Sequence, residues 1–363
     1  MVYFRGGKRF REIRFSGYAP GIYVPLYVPT GEGFKLVFYD PDDKKVGELG
    51  SDSANNIVSN INFELLESGC GSMELTLTEK PSFEIGYRTR VDVFPFFSSD
   101  PWYTGFVYDL PRKSSKTTKL RYGGFGYYEQ LEWVRVSGSW QNKKVNKIVA
   151  DIIENQVSPK TSIKYNQAKI AESTVEASSI IIDNASAKEV LSKLSGFEAD
   201  FVFGVDNYRE FFLLPRSNQV VAKLWVGKHC EDFECEEDIS HVANRLYVKA
   251  GVIAAGSNYV AIVEDGESIN KYGVREAVVT APEVANVDDA VAWGLAKLNE
   301  TKLKKITGQA KNVFLSNMKP FEAKGAVVLV DTEGVELQMR VVSVTYDVST
   351  DGILADLHLE AYQ

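Results

Sequence analysis

The sequence has little sulfur and little imidazole, with three cysteines and three histidines in 363 residues. Three cysteines cannot build a disulfide framework, so a thiol-reducing assembly compartment is expected. The histidines, His229, His241 and His358, leave few starting points for acid–base or metal chemistry. Long apolar runs are also missing. A membrane span needs ~20 apolar residues, and the longest runs here are far shorter, so no stable membrane insertion is expected. The opening stretch, Met1-Val-Tyr-Phe-Arg-Gly-Gly-Lys-Arg-Phe-Arg11, carries charges where the apolar core of a secretory signal should follow. Positive charge is not in excess either. Lys and Arg total 41 against 49 Asp and Glu, a net charge of -8, whereas broad nucleic-acid binding leaves a basic footprint.

What is present describes a soluble globular chain: 44% hydrophobic and 25% charged residues. At ~150 residues per domain the length suggests two or three domains, each able to bury a core. Aromatics are plentiful, with 20 Phe, 18 Tyr and 5 Trp. They could form stacking platforms for sugars or bases; in a β-rich chain, core and cross-strand pairing is the preferred reading.

Periodicity divides the chain into four parts. Residues 1–33 read as an arm, with a basic start (Lys8, Arg9, Arg11, Arg14) and then Pro20, Pro25 and Pro29 among aromatics. Both an extended docking segment and an ordinary edge strand with a loop fit that pattern. Residues 34–139 read as a first small β-barrel or sandwich. Strands are expected at Phe34–Tyr39, Asn60–Leu65, Met73–Thr78, Arg88–Phe94, Trp102–Tyr108 and Lys119–Tyr122. Asp40-Pro-Asp-Asp43 is a turn.

Residues 140–217 read as an α+β insert. Val145, Ile148, Val149, Ile152 and Ile153 mark one helix face. Ser186-Ala-Lys-Glu189 is a capping-box pattern, with Val190, Leu191 and Leu194 facing inward and an end near Gly196. Two strands follow, Ala199–Phe203 and Arg209–Leu214. Residues 218–363 read as a second β-barrel with one helix. Its strands are expected at Val220–Val226, Asn244–Ala250, Tyr259–Val263, Ala326–Val330, Leu337–Asp347 and Ile353–Leu359. The helix is expected from Val287 to Lys305, capped by Asn286, with Val287, Val291, Leu295 and Leu298 as its apolar stripe. The fold class is therefore mainly β, two small barrels flanking an α+β domain. A weak repeat links their ends: Val91-Asp-Val93 then Gly105-Phe-Val-Tyr-Asp109, against Val328-Leu-Val330 then Val341-Val-Ser-Val-Thr-Tyr-Asp347.

No motif carries catalysis. There is no Gly-x-Ser-x-Gly elbow, no His-Glu-x-x-His and no P-loop. Gly123-Gly-Phe-Gly126 fails the dinucleotide pattern and reads as a bent strand or hairpin. His229, Cys230, Cys235 and His241 could in principle ligate zinc. Their spacing is poor, because the adjacent His229 and Cys230 would point to opposite faces of a strand. Glu231, Asp232, Glu234, Glu236, Glu237 and Asp238 read as surface acids. Asp40, Asp42 and Asp43 fail the calcium-loop test, since Lys45 and Ser51 stand where glycine and glutamate are required. His358, in an alternating strand, is expected to face solvent. No catalytic, cofactor-binding or metal-ligating residue is assigned, and no cofactor is implied.

The second β region carries a further pattern. Asn244-Arg-Leu-Tyr-Val-Lys-Ala-Gly251 is followed by Glu267-Ser-Ile-Asn-Lys-Tyr-Gly-Val-Arg-Glu276 and by Val287-Asp-Asp-Ala-Val-Ala-Trp-Gly-Leu-Ala-Lys-Leu298. With the closing Val341-Val-Ser-Val-Thr-Tyr346 and the order of parts, this resembles the tail hub family of bacteriophage tails and contractile injection systems. The resemblance covers residues 34–363 and is clearest over 244–363. Residues 1–33 have no counterpart in it.

The resemblance implies a non-enzymatic baseplate or tail-tip hub. Such a hub is a homotrimer whose chains each carry two similar barrels, giving six units that join a six-fold tail tube to a three-fold tip. The implied partners are the tube or distal tail protein, a tip, spike or fibre protein, and the tape-measure protein. DNA is a partner only in transit, through a channel expected to be acidic. The implied location is the virion tail tip, after assembly in the host cytoplasm. A carbohydrate-binding or carbohydrate-degrading virion or secreted protein is the alternative, and it would need one cleft with two acids at defined spacing.

Overall fold

The structure, a computed structural model, describes residues 33–361 except 53–55, 96–97, 112–118, 199–200, 217–219, 251–260, 282–283, 285–286, 314–326, 333–334 and 350–351. The arm (apart from Gly33), the cap expected at Asn286, and Gly251 of the second-region pattern lie outside the described residues.

The first module is built from β1 (Phe34–Tyr39), β2 (Lys45–Gly50), β3 (Val58–Leu66), β4 (Gly69–Leu77), β5 (Arg90–Pro95), β6 (Tyr103–Asp109) and β7 (Leu120–Gly126). Alternation sets the faces of β3 and β4: Ile61, Phe63, Leu65, Met73, Leu75 and Leu77 are buried, with polar residues between them. Gly69 closes their hairpin at φ 121, and a Cβ there would collide with the Val205 carbonyl oxygen. Gly123-Gly-Phe-Gly126 lies within β7, paired to both β4 and β6.

The insert holds β8 (Arg135–Lys144), α1 (Val145–Ile152), β9 (Glu176–Ser186), α2 (Ala187–Ser195), β10 (Phe201–Val205) and β11 (Phe211–Pro215). The expected face of α1 is buried throughout, and its last turn widens into a π-helical turn over Ile153–Val157. Ser186 Oγ caps α2 by accepting from the Glu189 amide at 3.4 Å. Glu189 does not reach back to complete the box; it pairs with Lys193 at 2.9 Å. β8 and β9 form an antiparallel pair absent from the sequence expectation; their buried apolar residues, Val136, Trp140, Ala177, Ile180 and Ile182, are spaced among polar ones. The boundary expected at residue 139/140 falls inside β8.

The remainder comprises β12 (Val220–Trp225), β13 (Asp232–Asp238), β14 (Arg245–Ala250), β15 (Ala261–Glu264), α3 (Gly266–Tyr272), β16 (Glu276–Ala281), α4 (Val287–Thr301), β17 (Lys305–Lys311), β18 (Val327–Thr332), β19 (Val335–Ser349) and β20 (Gly352–Ala361). The expected helix ends four residues early, at Thr301, and its stripe is corrected. Val287 and Leu295 are exposed, at 54% and 47%, while Ala290, Trp293, Gly294 and Leu298 are buried. Two contacts turn the helix. Asp289 accepts from the Ser178 amide at 2.9 Å. Gly294 sits so close to β14 that a Cβ would lie 2.6 Å from Val248 Cγ2.

One sheet runs through both β modules. Its order is β13-β17-β20-β19-β3-β4-β7-β6-β5-β1-β2, with β18 beside β19 and β12 beside β18. Two stretches of it repeat. The first module reads β3-β4-β7-β6-β5-β1, and the second reads β13-β17-β20-β19-β18-β12. Matched by position along the chain, these are the same order. Neighbours are antiparallel at every step of both except the last, where β1 is antiparallel to β5 and β12 is parallel to β18.

β19 makes the joint between the modules. Val335–Arg340 pairs with β18, a bulge follows between Val341 and Ser343, and Ser343–Ser349 then pairs with β3. Tyr346, fully buried, stacks on Phe63 at 5.1 Å and meets Trp102 edge-on at 5.3 Å.

Two cores result. One joins the β modules, from Phe34, Phe63 and Leu75 to Val341, Tyr346 and Leu357. The other joins α1 and α2 of the insert to the three-stranded sheet β15-β14-β16 and α4, through Ile148, Leu191, Leu246, Val248 and Trp293.

Candidate functional site

The residues weighed for chemistry are dispersed. His229 is buried after β12, where its Nδ1 accepts from the Trp225 amide at 3.1 Å. Burial lowers its pKa. Cys230 is buried and its thiol is pushed up to about 11, again by burial, with Asp232 adding. Cys235 stands exposed on β13, and His241 pairs at the surface with Asp238 at 3.1 Å. Among the described residues no three His, Cys, Asp or Glu side chains are grouped to hold a metal. His358 is exposed on β20, the face its alternation predicted.

The acidic turn after β1 does more than a solvated turn. Asp40 Oδ1 accepts from the amides of Asp42 and Lys44 at 3.0 and 2.9 Å. That leaves Asp43, at φ 64, to reach the insert. Its two oxygens lie 3.0 and 2.7 Å from Nη1 and Nη2 of Arg209, which sits at φ 68 in the β10–β11 turn. Arg90 Nη1 donates to the same carboxylate at 2.5 Å and stacks over Tyr39. Burial alone would raise Asp43; Arg209, then Arg90 and Lys164, outweigh it and hold the carboxyl below its ordinary range. Behind them Asp92 is buried, 3.3 Å from Arg90 Nε. Here burial prevails over Arg90 and pushes the carboxyl up to about 6.

This network fills one side of a cleft of about 410 Å³ between the first module and the insert, lined also by Arg88, Tyr127 and Lys164. Its lining carboxylates, Asp40 and Asp43, are committed to a turn and to a two-arginine clamp. Asp43 is held ionised and is no proton donor near neutral pH. Chemically, the cleft is a brace between elements distant in sequence.

The other reactive features are backbone edges. The main sheet path ends at β2 and at β13, and among the described residues neither has a partner on its outer side. The outer edge of β13 carries exposed Asp232, Glu234, Glu236 and Glu237. On the first module, Tyr108 is 54% exposed at the end of β6 and meets Phe125 edge-on at 5.7 Å. No described helix is long and apolar enough to cross a membrane.

The sequence matches no family model and no curated protein. The fold does match solved structures. The 43 kDa tail protein of prophage MuSo2 from Shewanella oneidensis has a TM-score of 0.62 at 17% identity, over 90% of this chain and 98% of that one. The tail protein from Neisseria meningitidis MC58 gives 0.64 at 12% identity, over 90% and 96%. Prophage tail protein gp18 from Listeria monocytogenes EGD-e gives 0.56 at 14% identity, over 90% and 94%. Fold and strand order thus define a mainly β, two-module protein with the fold of phage tail proteins. The resemblance to tail hubs seen in residues 244–363 has its counterpart in these solved tail proteins, which match along nearly their whole length.

Proposed function

We propose that this chain is a structural hub of a tail tip or baseplate, without catalytic function. Residues 34–139 and 218–363 act as two related modules, and 140–217 braces them. Three chains close a ring of six similar modules that stacks on a six-fold tail tube, presents three-fold symmetry to a tip, spike or fibre protein, and lets the genome pass. Part of the net charge of -8 lines the channel, where acids would let DNA slide past without phosphate contacts. The chain assembles in the host cytoplasm and functions in the virion.

The observation that supports this is the repeated strand order. Two modules of one topology, held in a fixed relation by β19, are what a three-fold assembly needs to imitate six-fold order. Light scattering on the full chain, alone and mixed with the tube protein of the same virion, tests it. The expected result is an assembly with three copies of the 40.5 kDa chain. A chain that stays monomeric in both conditions overturns the reading.

A further inference from the structure

We infer that the open side of the cleft between the first module and the insert binds a small oxyanion carrying two negative charges, a phosphate or a dicarboxylate, held between Arg88 and Lys164. The inference does not depend on the ring reading.

The backbone singles this cleft out. Among the described residues, six that are not glycine have positive φ. Three are asparagines, which tolerate the left-handed region. The other three, Asp43, Arg88 and Arg209, at φ 64, 64 and 68, all line the cleft. A long side chain such as arginine gains nothing locally from that conformation, and such outliers gather where a side chain must be held in place. Two of the three are accounted for within the chain, because Asp43 and Arg209 hold each other through two hydrogen bonds. Arg88 is not. Its amide donates to the Val107 carbonyl at 2.9 Å, which fixes the backbone, yet among the described residues its guanidinium has no hydrogen-bond or ion-pair partner.

Lys164 is its counterpart on the insert. The Lys164 amide donates to the Arg209 carbonyl at 2.7 Å, and the Lys164 carbonyl accepts from the Phe211 amide at 3.0 Å. Among the described residues its ammonium also has no hydrogen-bond or ion-pair partner. Each of the two cations therefore stands on backbone fixed within its own unit. The cleft they share, about 410 Å³, is of the size that small molecules occupy.

Charge decides the class of ligand. Arg88, Arg90, Lys164 and Arg209 line the cleft against two acids, Asp40 and Asp43. Arg209 and Arg90 are both taken up by Asp43, and Arg90 also lies 3.3 Å from Asp92. Asp40 turns Oδ1 to the amides of its own turn. The surplus is positive in a chain of net charge -8, and its two uncommitted carriers stand on opposite walls. A dianion with oxygens at both ends would neutralise both, a guanidinium on one side and an ammonium on the other. Bound there, it would tie the first module to the insert beside the Asp43–Arg209 clamp.

Calorimetric titration of the full chain tests this, with inorganic phosphate and, separately, with succinate, in chloride buffer at fixed ionic strength. At least one of the two is expected to bind saturably and to raise the unfolding midpoint. Arg88→Gly keeps the left-handed turn and relieves its strain. It is expected to weaken binding at least tenfold without lowering the unfolding midpoint in chloride. Lys164→Gln, at an exposed position, is expected to weaken binding as much and to leave that midpoint unchanged. Whichever anion binds with this sensitivity identifies the ligand as a phosphate or a dicarboxylate. Binding of neither overturns the inference, and so does binding that both variants retain. Either failure leaves the trimeric hub standing, since light scattering reads that separately.

Discussion

Asp92 shows how one buried side chain ties stability to pH. Its carboxyl is raised to about 6 because burial outweighs the nearby Arg90. Below pH ~3 the group is largely neutral in both folded and unfolded chains. As pH climbs toward 6, the unfolded chain releases the proton and the folded chain keeps it, so the native state loses stability through that window and the loss levels off above it. Asp92→Asn removes the penalty. It is expected to raise the free energy of unfolding by roughly 1–3 kcal/mol at pH 7.5 and to change it little at pH 4, as urea unfolding at the two pH values would read. Asp43, one shell outward, titrates in the opposite direction because Arg209 grips both its oxygens. Composition could not have told these two aspartates apart. Asp43 looked like an ordinary turn residue, and only the β10–β11 turn, 166 positions away at Arg209, makes it a clamp.

Elements were legible where their pattern was local. The face of α1 and the strands β1, β3, β4, β10 and β11 follow from periodicity, because burial on one face writes a period of two or 3.6 into the residues. Of the strands that went unseen, β2 is a polar hairpin partner of β1, while β8, β9, β13, β16 and β17 pair with segments some thirty or more residues away, which local patterning does not reveal. α4 lies between these cases. Its existence was readable, but its orientation depended on Gly294 nesting against Val248 and on Asp289 holding the Ser178 amide. Gly294→Ala tests this. In an exposed helix the change would stabilise by about 1 kcal/mol. Here the added methyl at 2.6 Å from Val248 Cγ2 must push α4 off its sheet, and a net loss of about 1–2 kcal/mol is expected in thermal or urea unfolding. Gly266→Ala, at the start of α3 with nothing within 4 Å, is the control and should be close to neutral.

For the molecule as a whole, the hub proposed above would work through the edges of its sheet. The cleft is braced, the residues weighed for chemistry are scattered, and among the described residues the sheet path ends at β2 and β13. The arm belongs to this level as well. Removing residues 2–30 is expected to reduce incorporation into tails, read by complementation of a tail-defective phage; full incorporation would show that the arm has no docking role.

Composition and periodicity were sufficient for a mainly β chain without a catalytic motif, for the faces of α1 and of several strands, and for a faint likeness between the ends of its first and last β regions. Each of these is written in neighbouring residues, where side-chain chemistry and backbone geometry act directly. The shared strand order, the change of partner along β19, the Asp43–Arg209 brace and, among the described residues, the unpaired outer edge of β13 arise from contacts between segments tens to hundreds of residues apart, or from their absence. Backbone donors and acceptors are alike in every strand, so nothing in a strand's own residues names its partner; packing of the whole core makes that choice.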